Sequence, residues 1–164
     1  ELRLALSHKL KHQNAINVIA DEILVTNGLT QGSFAAFMSF LDEGDEVLLL
    51  APYYPQHIGK AELAGAKVTI APLDAAKGFS INRALIEPLI TSATRVIVLI
   101  NPCNPTGRVY SHSELQIIAN LAQEYDLLVI SDEVYEEITY GTPHISIASL
   151  PKRMRWTAGD WGML

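Results

Sequence analysis

The feature that most constrains the fold is a set of five short apolar runs in which apolar and polar positions do not alternate. A strand with one face in water alternates, whereas a strand buried on both faces is continuously apolar. Such runs, separated by segments with helical periodicity, are typical of parallel sheets covered by helices on both sides. The sequence therefore predicts an α/β fold with three αβα layers and a mainly parallel sheet, with strands at residues 23–25, 47–50, 68–70, 96–100 and 127–130.

Amphipathic helices are predicted on either side of these runs. In the predicted helix at residues 30–41, Phe34, Phe37 and Met38 fall on a common face. Pro88 should kink or shorten the helix that contains it, because proline lacks an N–H group and clashes with the preceding turn. Ser111 and Glu114 have the spacing of a capping box at a helix start. The predicted helices cover residues 2–11, 30–41, 56–64, 82–90 and 113–125.

Composition narrows the class of protein. A chain of 164 residues is long enough for one domain with a substantial core, and its net charge of -6 is spread without a basic run. Nucleic acid and membrane surfaces are therefore not expected partners, and no apolar stretch reaches membrane-spanning length. The single cysteine, Cys103, excludes an internal disulfide framework and predicts a reducing, cytoplasmic environment.

The turn at residues 26–32 is the first candidate binding segment. Gly28 permits a tight turn, and the free N–H groups and positive end of the following helix favour a bound anion. The turn contains neither G-x-G-x-x-G nor G-x-x-x-x-G-K-[ST], which excludes the common nucleotide-binding loops. An ordinary strand-to-helix turn with a threonine cap fits the same residues, so this segment has low specificity.

Three further candidates follow the second, fourth and fifth apolar runs. Tyr54 lies in a Pro-Tyr-Tyr-Pro segment and could stack on a planar ligand or simply cover the core. Asn104 lies in a loop with two Asn-Pro pairs, which is more constrained than a generic turn. Asp132 ends the fifth run and Tyr135 follows three residues later, although acidic residues also begin solvated elements. Because parallel strands place their carboxyl ends at one edge, we expect these candidates to meet there.

At these residues the chain resembles the class I and II aminotransferases of the fold-type I pyridoxal phosphate-dependent enzymes. The resemblance extends over about residues 2–151, and its last two motifs together are specific to the family. It implies a truncated large cofactor domain at residues 1–151 and a divergent tail at residues 152–164. The motifs that carry it, in matching order and at matching intervals, are Leu-Val-Thr-Asn-Gly from Leu24, Leu-Asp-Glu-Gly-Asp-Glu-Val from Leu41, Pro-Tyr-Tyr-Pro from Pro52, Asn-Pro-Thr-Gly from Asn104 and Ser-Asp-Glu-Val-Tyr from Ser131.

The resemblance implies a cofactor, pyridoxal 5'-phosphate, and a class of substrates, amino acids with 2-oxo acids. The backbone around Gly28, Leu29 and Thr30 would hold the cofactor phosphate, and Tyr54 would stack on its pyridine ring. For the parent protein the resemblance also implies a role in amino acid metabolism and a homodimer with active sites at the interface.

The remaining candidates would contact polar atoms of the same ring. Asn104 and Tyr135 would hydrogen-bond the phenolic oxygen, and Asp132 would pair with the protonated pyridine nitrogen. A pyridinium held protonated accepts the electrons left at the substrate α-carbon when its proton is removed. Loss of Asp132 should therefore damage the chemistry more than binding.

One part of the family pattern has no counterpart in this chain. The family places its Schiff-base lysine in a Ser-x-Ser-Lys-like segment beyond the aspartate, but Lys152 is the only lysine after Asp132 and lies too close to Pro151 to match. Without that amine there is no base to move the substrate proton. We therefore predict no catalytic residue and no metal ligand here, and an inactive fragment of an aminotransferase parent. Both tryptophans lie in the last nine residues, a break in composition that suggests a frameshift or splice variant.

Three other functions are open on the sequence. A pyridoxal phosphate-dependent lyase or synthase would share the cofactor frame and differ in the residues that face the substrate. A non-catalytic binding module would keep the fold, and the absent lysine favours it. A dinucleotide-binding dehydrogenase ranks lowest, because the turn spacing is wrong and no acidic ribose ligand ends the second apolar run.

Overall fold

The structure, a computed structural model, describes residues 1–150 and the backbone of residues 161–163. Its centre is a sheet of parallel strands, and the strands of the described part are β1 (Glu46–Ala51), β2 (Lys67–Pro72), β3 (Thr94–Ile100), β4 (Leu128–Asp132) and β5 (Trp161–Met163). Their order across the sheet is β2-β1-β3-β4-β5, and every neighbouring pair is parallel. The predicted parallel sheet is confirmed.

Helices alternate with the strands along the chain. The α-helices of the described part are α1 (Leu2–Gln13), α2 (Gly28–Phe40), α3 (Gln56–Leu63), α4 (Arg83–Ile86) and α5 (His112–Glu124). Short 3-10 turns lie at Ala20–Glu22, Ala75–Lys77, Glu87–Leu89 and Ile147–Ser149. None of the helices in residues 1–150 combines the length and the apolar composition needed to cross a membrane.

Two hydrophobic clusters, one on each face of the sheet, establish the three layers. On one face Leu48, Ile97 and Val129 pack against α4 and α5. On the other face Val47 and Val98 pack against α2 and α3. Successive residues of β1 and β3 contribute to opposite clusters, as the two-residue period of a strand requires. The absence of apolar-polar alternation in these strands is thus explained by burial on both faces.

The predicted strand at residues 23–25 is wrong. Ile23 has extended dihedral angles, but residues 23–25 do not pair with any strand of the described part. Leu24 is 78% exposed and Val25 48% exposed. An extended backbone becomes a strand only when a neighbour takes up its N–H and C=O groups. The fifth strand of the sheet is instead β5, which aligns Trp161 with Val129 of β4.

Two predictions of burial also need correction. Strand β2 is not buried on both faces, because it lies at the edge of the described sheet with only β1 beside it, and Ile70 is partly exposed. In α2, Phe37 is fully buried, whereas Phe34 and Met38 are exposed. The helix contacts α3 and the sheet through a narrower stripe than the sequence pattern indicated.

The predictions at the two helix ends are confirmed. Helix α4 ends after one turn, and Pro88 lies in the 3-10 turn that follows it. At the start of α5 the Glu114 N–H donates to Ser111 Oγ at 3.4 Å, and the Ser111 N–H donates to a Glu114 carboxylate oxygen at 2.9 Å. This reciprocal pair is the capping box expected from the sequence.

Candidate functional site

The turn before α2 is suited to hold an anion. Helix α2 begins at Gly28, whose φ of +75° lies in the left-handed region, and a Cβ there would find no neighbour within 4 Å. The Gly28 N–H donates to the carbonyl of Thr26, while Leu29 and Thr30 occupy the first turn, where N–H groups have no intrahelical acceptor. Thr30 is exposed and Leu29 half-buried. The segment therefore has anion-binding geometry, although it does not follow a strand as predicted.

The three other candidate segments lie at the carboxyl edge of the sheet, as predicted. Residues 52–55 follow β1, residues 101–107 follow β3, and Asp132 is the last residue of β4. The Asn101 N–H donates to the Asp132 carbonyl at 2.9 Å, which extends the pairing of β3 and β4 into this edge. The peptide bonds before Pro52, Pro102 and Pro105 are cis.

Asp132 is held by a residue that the sequence interpretation missed. Nε2 of His57 lies 3.3 Å from Oδ2 of Asp132, and both side chains are almost completely buried. The N–H of Val134 donates to the other carboxylate oxygen at 3.3 Å. His57 could have been found from its position three residues after Tyr54, on the first turn of the helix that follows. The Asp132 carboxylate is therefore buried at the end of β4 and held in position by contacts at both of its oxygens.

Tyr54 is connected to this carboxylate through the same histidine. The Tyr54 and His57 rings meet edge to face, with centroids 5.8 Å apart, and the Phe37 ring stacks on His57 with centroids 5.9 Å apart. Phe37 belongs to α2, so the histidine links the helix of the anion turn to the end of β4. The structure thus brings Tyr54 and Asp132 into one cluster, as the sequence predicted.

Lys60 is the second residue that the sequence interpretation missed. It is buried one turn after His57 on α3, and Nζ donates to Ser33 Oγ at 2.5 Å. Ser33 in turn donates to the Leu29 carbonyl at 2.8 Å, in the first turn of α2. Burial lowers the pKa of Lys60, and the nearby Asp132 carboxylate partly opposes that shift. A positive group therefore lies between the anion turn and Asp132.

Asn104 and Tyr135 lie at the same edge, but within residues 1–150 their side chains make no hydrogen bond or ring contact with the other predicted residues. Asn104 is half-buried and Tyr135 is 38% exposed. Their contribution to a binding site stays a prediction. Cys103 is buried with Sγ 3.5 Å from the Pro52 carbonyl, a packing position that does not favour a nucleophile.

Asp132 and Glu133 are neighbours in sequence with separate surroundings. The Ser131 and Ser146 hydroxyls both donate to Glu133 Oε1, at 2.7 Å and 2.9 Å, whereas Asp132 contacts His57. Burial raises the pKa of Glu133 to about 7, and its two serine hydrogen bonds oppose the rise. The adjacent acidic pair is therefore not a solvated helix start, because both carboxylates are buried.

Together these residues form a site with two chemically different ends. The first turn of α2 offers N–H groups to an anion, and the buried Asp132 carboxylate offers a negative charge to a cation. An aromatic ring and a buried histidine lie between them. Such a site suits a planar ligand with a phosphate at one end and a protonated ring nitrogen at the other.

Comparison with known proteins agrees with this geometry. The family model described as aminotransferase class I and II matches residues 1–161. A bifunctional aspartate aminotransferase and glutamate/aspartate-prephenate aminotransferase of Petunia hybrida is 42% identical over 153 residues, which are 92% of this chain and 32% of that protein.

Solved structures give the same result. An alanine aminotransferase from Pyrococcus furiosus superposes with a TM-score of 0.89 at 36% identity, over 92% of this chain and 38% of that one. An aromatic aminotransferase from Pyrococcus horikoshii gives 0.89 at 39% identity, over 92% and 41%. The chain spans less than half the length of the relatives it matches. From its motifs, its fold and these matches, the chain belongs to the class I and II aminotransferase family.

Proposed function

We propose that these residues form the cofactor-binding part of a pyridoxal phosphate-dependent aminotransferase, which transfers an amino group from an amino acid to a 2-oxo acid. The observation that carries the proposal is the buried Asp132 carboxylate at the end of β4, fixed by His57 at 3.3 Å. A buried carboxylate aimed at a ligand edge is costly unless a positive group completes it. The protonated pyridine nitrogen of the cofactor is such a group.

The residues of the site fit this cofactor. The free N–H groups of Leu29 and Thr30 would hold the phosphate, and the left-handed Gly28 forms the turn that presents them, with no neighbour within 4 Å of the place where a Cβ would stand. Tyr54 would stack on the ring. Asp132 would take the ring nitrogen at the opposite end.

Asn104 and Tyr135 would complete the set of cofactor contacts. Their positions beyond the ends of β3 and β4 support a role in hydrogen bonding the phenolic oxygen of the ring. Both side chains lack partners of their own within residues 1–150, so their polar atoms are available to a ligand.

When bound, the cofactor supplies an electron sink for the electrons released at the substrate α-carbon. The contribution of this chain is to hold that sink in place. His57 and the Val134 N–H hold the Asp132 carboxylate at both oxygens, so it would need no rearrangement to pair with the ring nitrogen. Burial of Asp132 excludes water and strengthens its interaction with a cation.

A polypeptide with these 164 residues should bind the cofactor without turning over. Proton transfer at the substrate requires a positioned base, which the family draws from a lysine beyond Asp132. Lys152 is the only lysine of the chain after Asp132, and it falls outside the residues that the structure describes. Lys60 is engaged with Ser33, in the layer of α2 and α3.

The names of the relatives specify different substrates, namely aspartate, glutamate and prephenate in one, alanine in another and aromatic compounds in a third. We therefore propose the substrate class, amino acid with 2-oxo acid, without a single donor. The homodimer and the cytoplasmic location expected from the sequence belong to the same proposal, as do the domain at residues 1–151 and the divergent tail at 152–164.

The reaction class is tested on the full-length parent protein loaded with pyridoxal phosphate. We expect at least one amino acid from a panel that includes L-aspartate, L-alanine and the aromatic amino acids to yield its 2-oxo acid and glutamate in equal amounts with 2-oxoglutarate, and the Asp132→Asn variant to lose most of this activity. Release of ammonia or loss of a substituent without formation of glutamate would instead identify a lyase or synthase. Saturable cofactor binding with no turnover of any amino acid would identify a non-catalytic module.

A further inference from the structure

Several buried polar atoms that lack a hydrogen-bond partner lie close together outside the candidate cofactor site. Five side-chain nitrogen or oxygen atoms in the described residues are buried without a hydrogen-bond partner, and three of them lie together: Asn14 Oδ1, Glu133 Oε2 and His144 Nε2. Asn14 and His144 line a cavity of about 190 Å3, with Ser146 and Ser149 also in its wall. Most buried polar atoms in proteins have a hydrogen-bond partner, so three such atoms in one place indicate a binding site.

The geometry of these atoms is that of cation ligands. Glu133 Oε2 and His144 Nε2 are 3.5 Å apart, and their side chains are 3% and 7% exposed. One ligand atom from each of Glu133, Glu136 and His144 lies within 4.8 Å of the others. Two ligands at about 2.1 Å from a tetrahedral zinc ion are about 3.4 Å apart, which is close to the Glu133–His144 separation.

The charges of the cluster favour a divalent cation. Glu133 and Glu136 supply two carboxylates. His144 supplies an imidazole nitrogen, which is a common ligand atom for zinc. Lys9 forms an ion pair with one oxygen of Glu136, and the Asn14 amide donates to the other. Lys9 is therefore a competing cation, carried on a helix, α1, that has no buried residue.

We propose that Glu133, Glu136 and His144 bind a zinc ion, with a water molecule from the adjacent cavity as the fourth ligand. On binding, the Lys9 ammonium leaves Glu136, and each of the two acids gives one oxygen to the metal. The site connects the residues directly after β4 to His144, three residues before the 3-10 turn at Ile147–Ser149. It is independent of the proposed cofactor chemistry, because Asp132 and His57 take no part in it.

The test is a zinc titration of the purified 164-residue chain, followed by competition with a chromogenic chelator. We expect one site with a dissociation constant in the low micromolar range or below. Replacement of zinc by Co2+ should give the intense visible bands of a four-coordinate ion. His144→Gln and Glu133→Gln should each weaken binding at least about tenfold. The matched control is Glu62→Gln, an exposed carboxylate on α3 that lies outside the cluster, and it should leave the affinity unchanged.

Lys9→Met separates a metal site from a merely structural cluster. Removal of the competing ammonium should tighten zinc binding about threefold or more, since it no longer repels the ion. A structural role alone would leave zinc affinity unaffected by this change. The proposal is overturned if the chain binds zinc no better than His144→Gln does, or if zinc binding is weaker than about 100 μM, in which case water fills the cavity.

Discussion

Residues 23–25 and strand β3 are both short apolar runs, yet only β3 is a strand of the sheet. Strand β3 pairs with β1 on one side and β4 on the other, and its Val96, Ile97 and Leu99 are fully buried. Leu24 is 78% exposed and has no strand beside it in the described part of the chain. Apolar composition therefore determines which segments can become strands. Such a segment becomes a strand only where a neighbouring strand pairs with it.

The candidate cofactor site likewise has one part in the paired, buried region and one part outside it. Asp132 and His57 lie on the paired, buried scaffold and are fixed by named contacts. The anion turn at Gly28 follows the unpaired segment and is largely exposed. We therefore expect the carboxylate end of the site to be rigid and the phosphate end to depend more on the ligand for its order.

The largest difference should come from truncating one leucine in each region. Leu99→Ala removes a fully buried side chain from β3 and should lower the free energy of unfolding by about 2–5 kcal/mol. Leu24→Ala should change it by less than about 0.5 kcal/mol, because little apolar surface is buried there. Urea denaturation followed by circular dichroism measures both, and equal costs for the two variants would refute the comparison.

Glu133 provides a pH test of the buried region. Its pKa in the folded chain is about 7, above its ordinary value of 4.5, because it is buried. The folded state therefore holds the proton more tightly than the unfolded state, so stability is greatest below pH 4.5 and falls as the pH rises to 7. The loss should be about 3 kcal/mol.

Glu133→Gln should remove this fall, since an amide keeps the serine hydrogen bonds and does not ionise. Urea denaturation of both proteins in the presence of EDTA, at pH 5 and pH 8, makes the comparison. A decline of the same size in the variant would assign the pH dependence to other groups.

Substitution of Lys60 tests whether residues of the candidate cofactor site lower the stability of the fold when no ligand is bound. None of the ion pairs among the described residues includes it, although it is buried. Lys60→Met should raise the free energy of unfolding by about 1–2 kcal/mol, because a buried amine that donates to Ser33 but has no carboxylate in an ion pair with it is replaced by an apolar side chain of similar length. The opposite sign would mean that the contact with Ser33 stabilises the fold more than burial of the amine destabilises it.

Among the substitutions expected to change stability measurably, the one at the start of helix α5 should have the smallest effect. Ser111→Ala removes the hydroxyl that accepts from the Glu114 N–H and should cost about 1 kcal/mol. Thermal unfolding followed by circular dichroism would measure this. His112→Ala, at the exposed neighbouring position, is the control, and an equal loss there would exclude a specific capping effect.

Much of this fold follows from the sequence. The runs at 47–50, 96–100 and 127–130 predict buried strands, because a continuously apolar run indicates burial on both faces of a sheet. The capping box and the interruption at Pro88 are also local effects. The exposure of Leu24, the edge position of β2 and the pairing of β5 depend on which segments become neighbours, and composition does not carry that information.

The candidate site likewise contains some residues that the sequence predicts and others that only the structure reveals. Asp132 and Tyr54 could be placed because each follows an apolar run. His57 and Lys60 lie inside α3, so the only signal in the sequence is the three-residue distance of His57 from Tyr54, and the packing of α3 against α2 and β4 brings both side chains to the site. The cluster of Glu133, Glu136 and His144 was missed because Glu133 reads as the partner of Asp132, and a strand turns adjacent side chains to opposite sides.

We propose that this chain contains a preformed pyridoxal phosphate site centred on Asp132. The most direct test is an absorbance titration of the purified chain with pyridoxal 5'-phosphate, repeated with Asp132→Asn, followed by borohydride treatment and intact mass measurement. We predict saturable, reversible binding, at least about tenfold weaker in Asp132→Asn, and no covalent adduct after reduction. Absence of saturable binding, or equal binding by the variant, would contradict the claim. A single reduced adduct would show that a lysine of this chain can serve after all, with Lys60 and Lys152 the first to map.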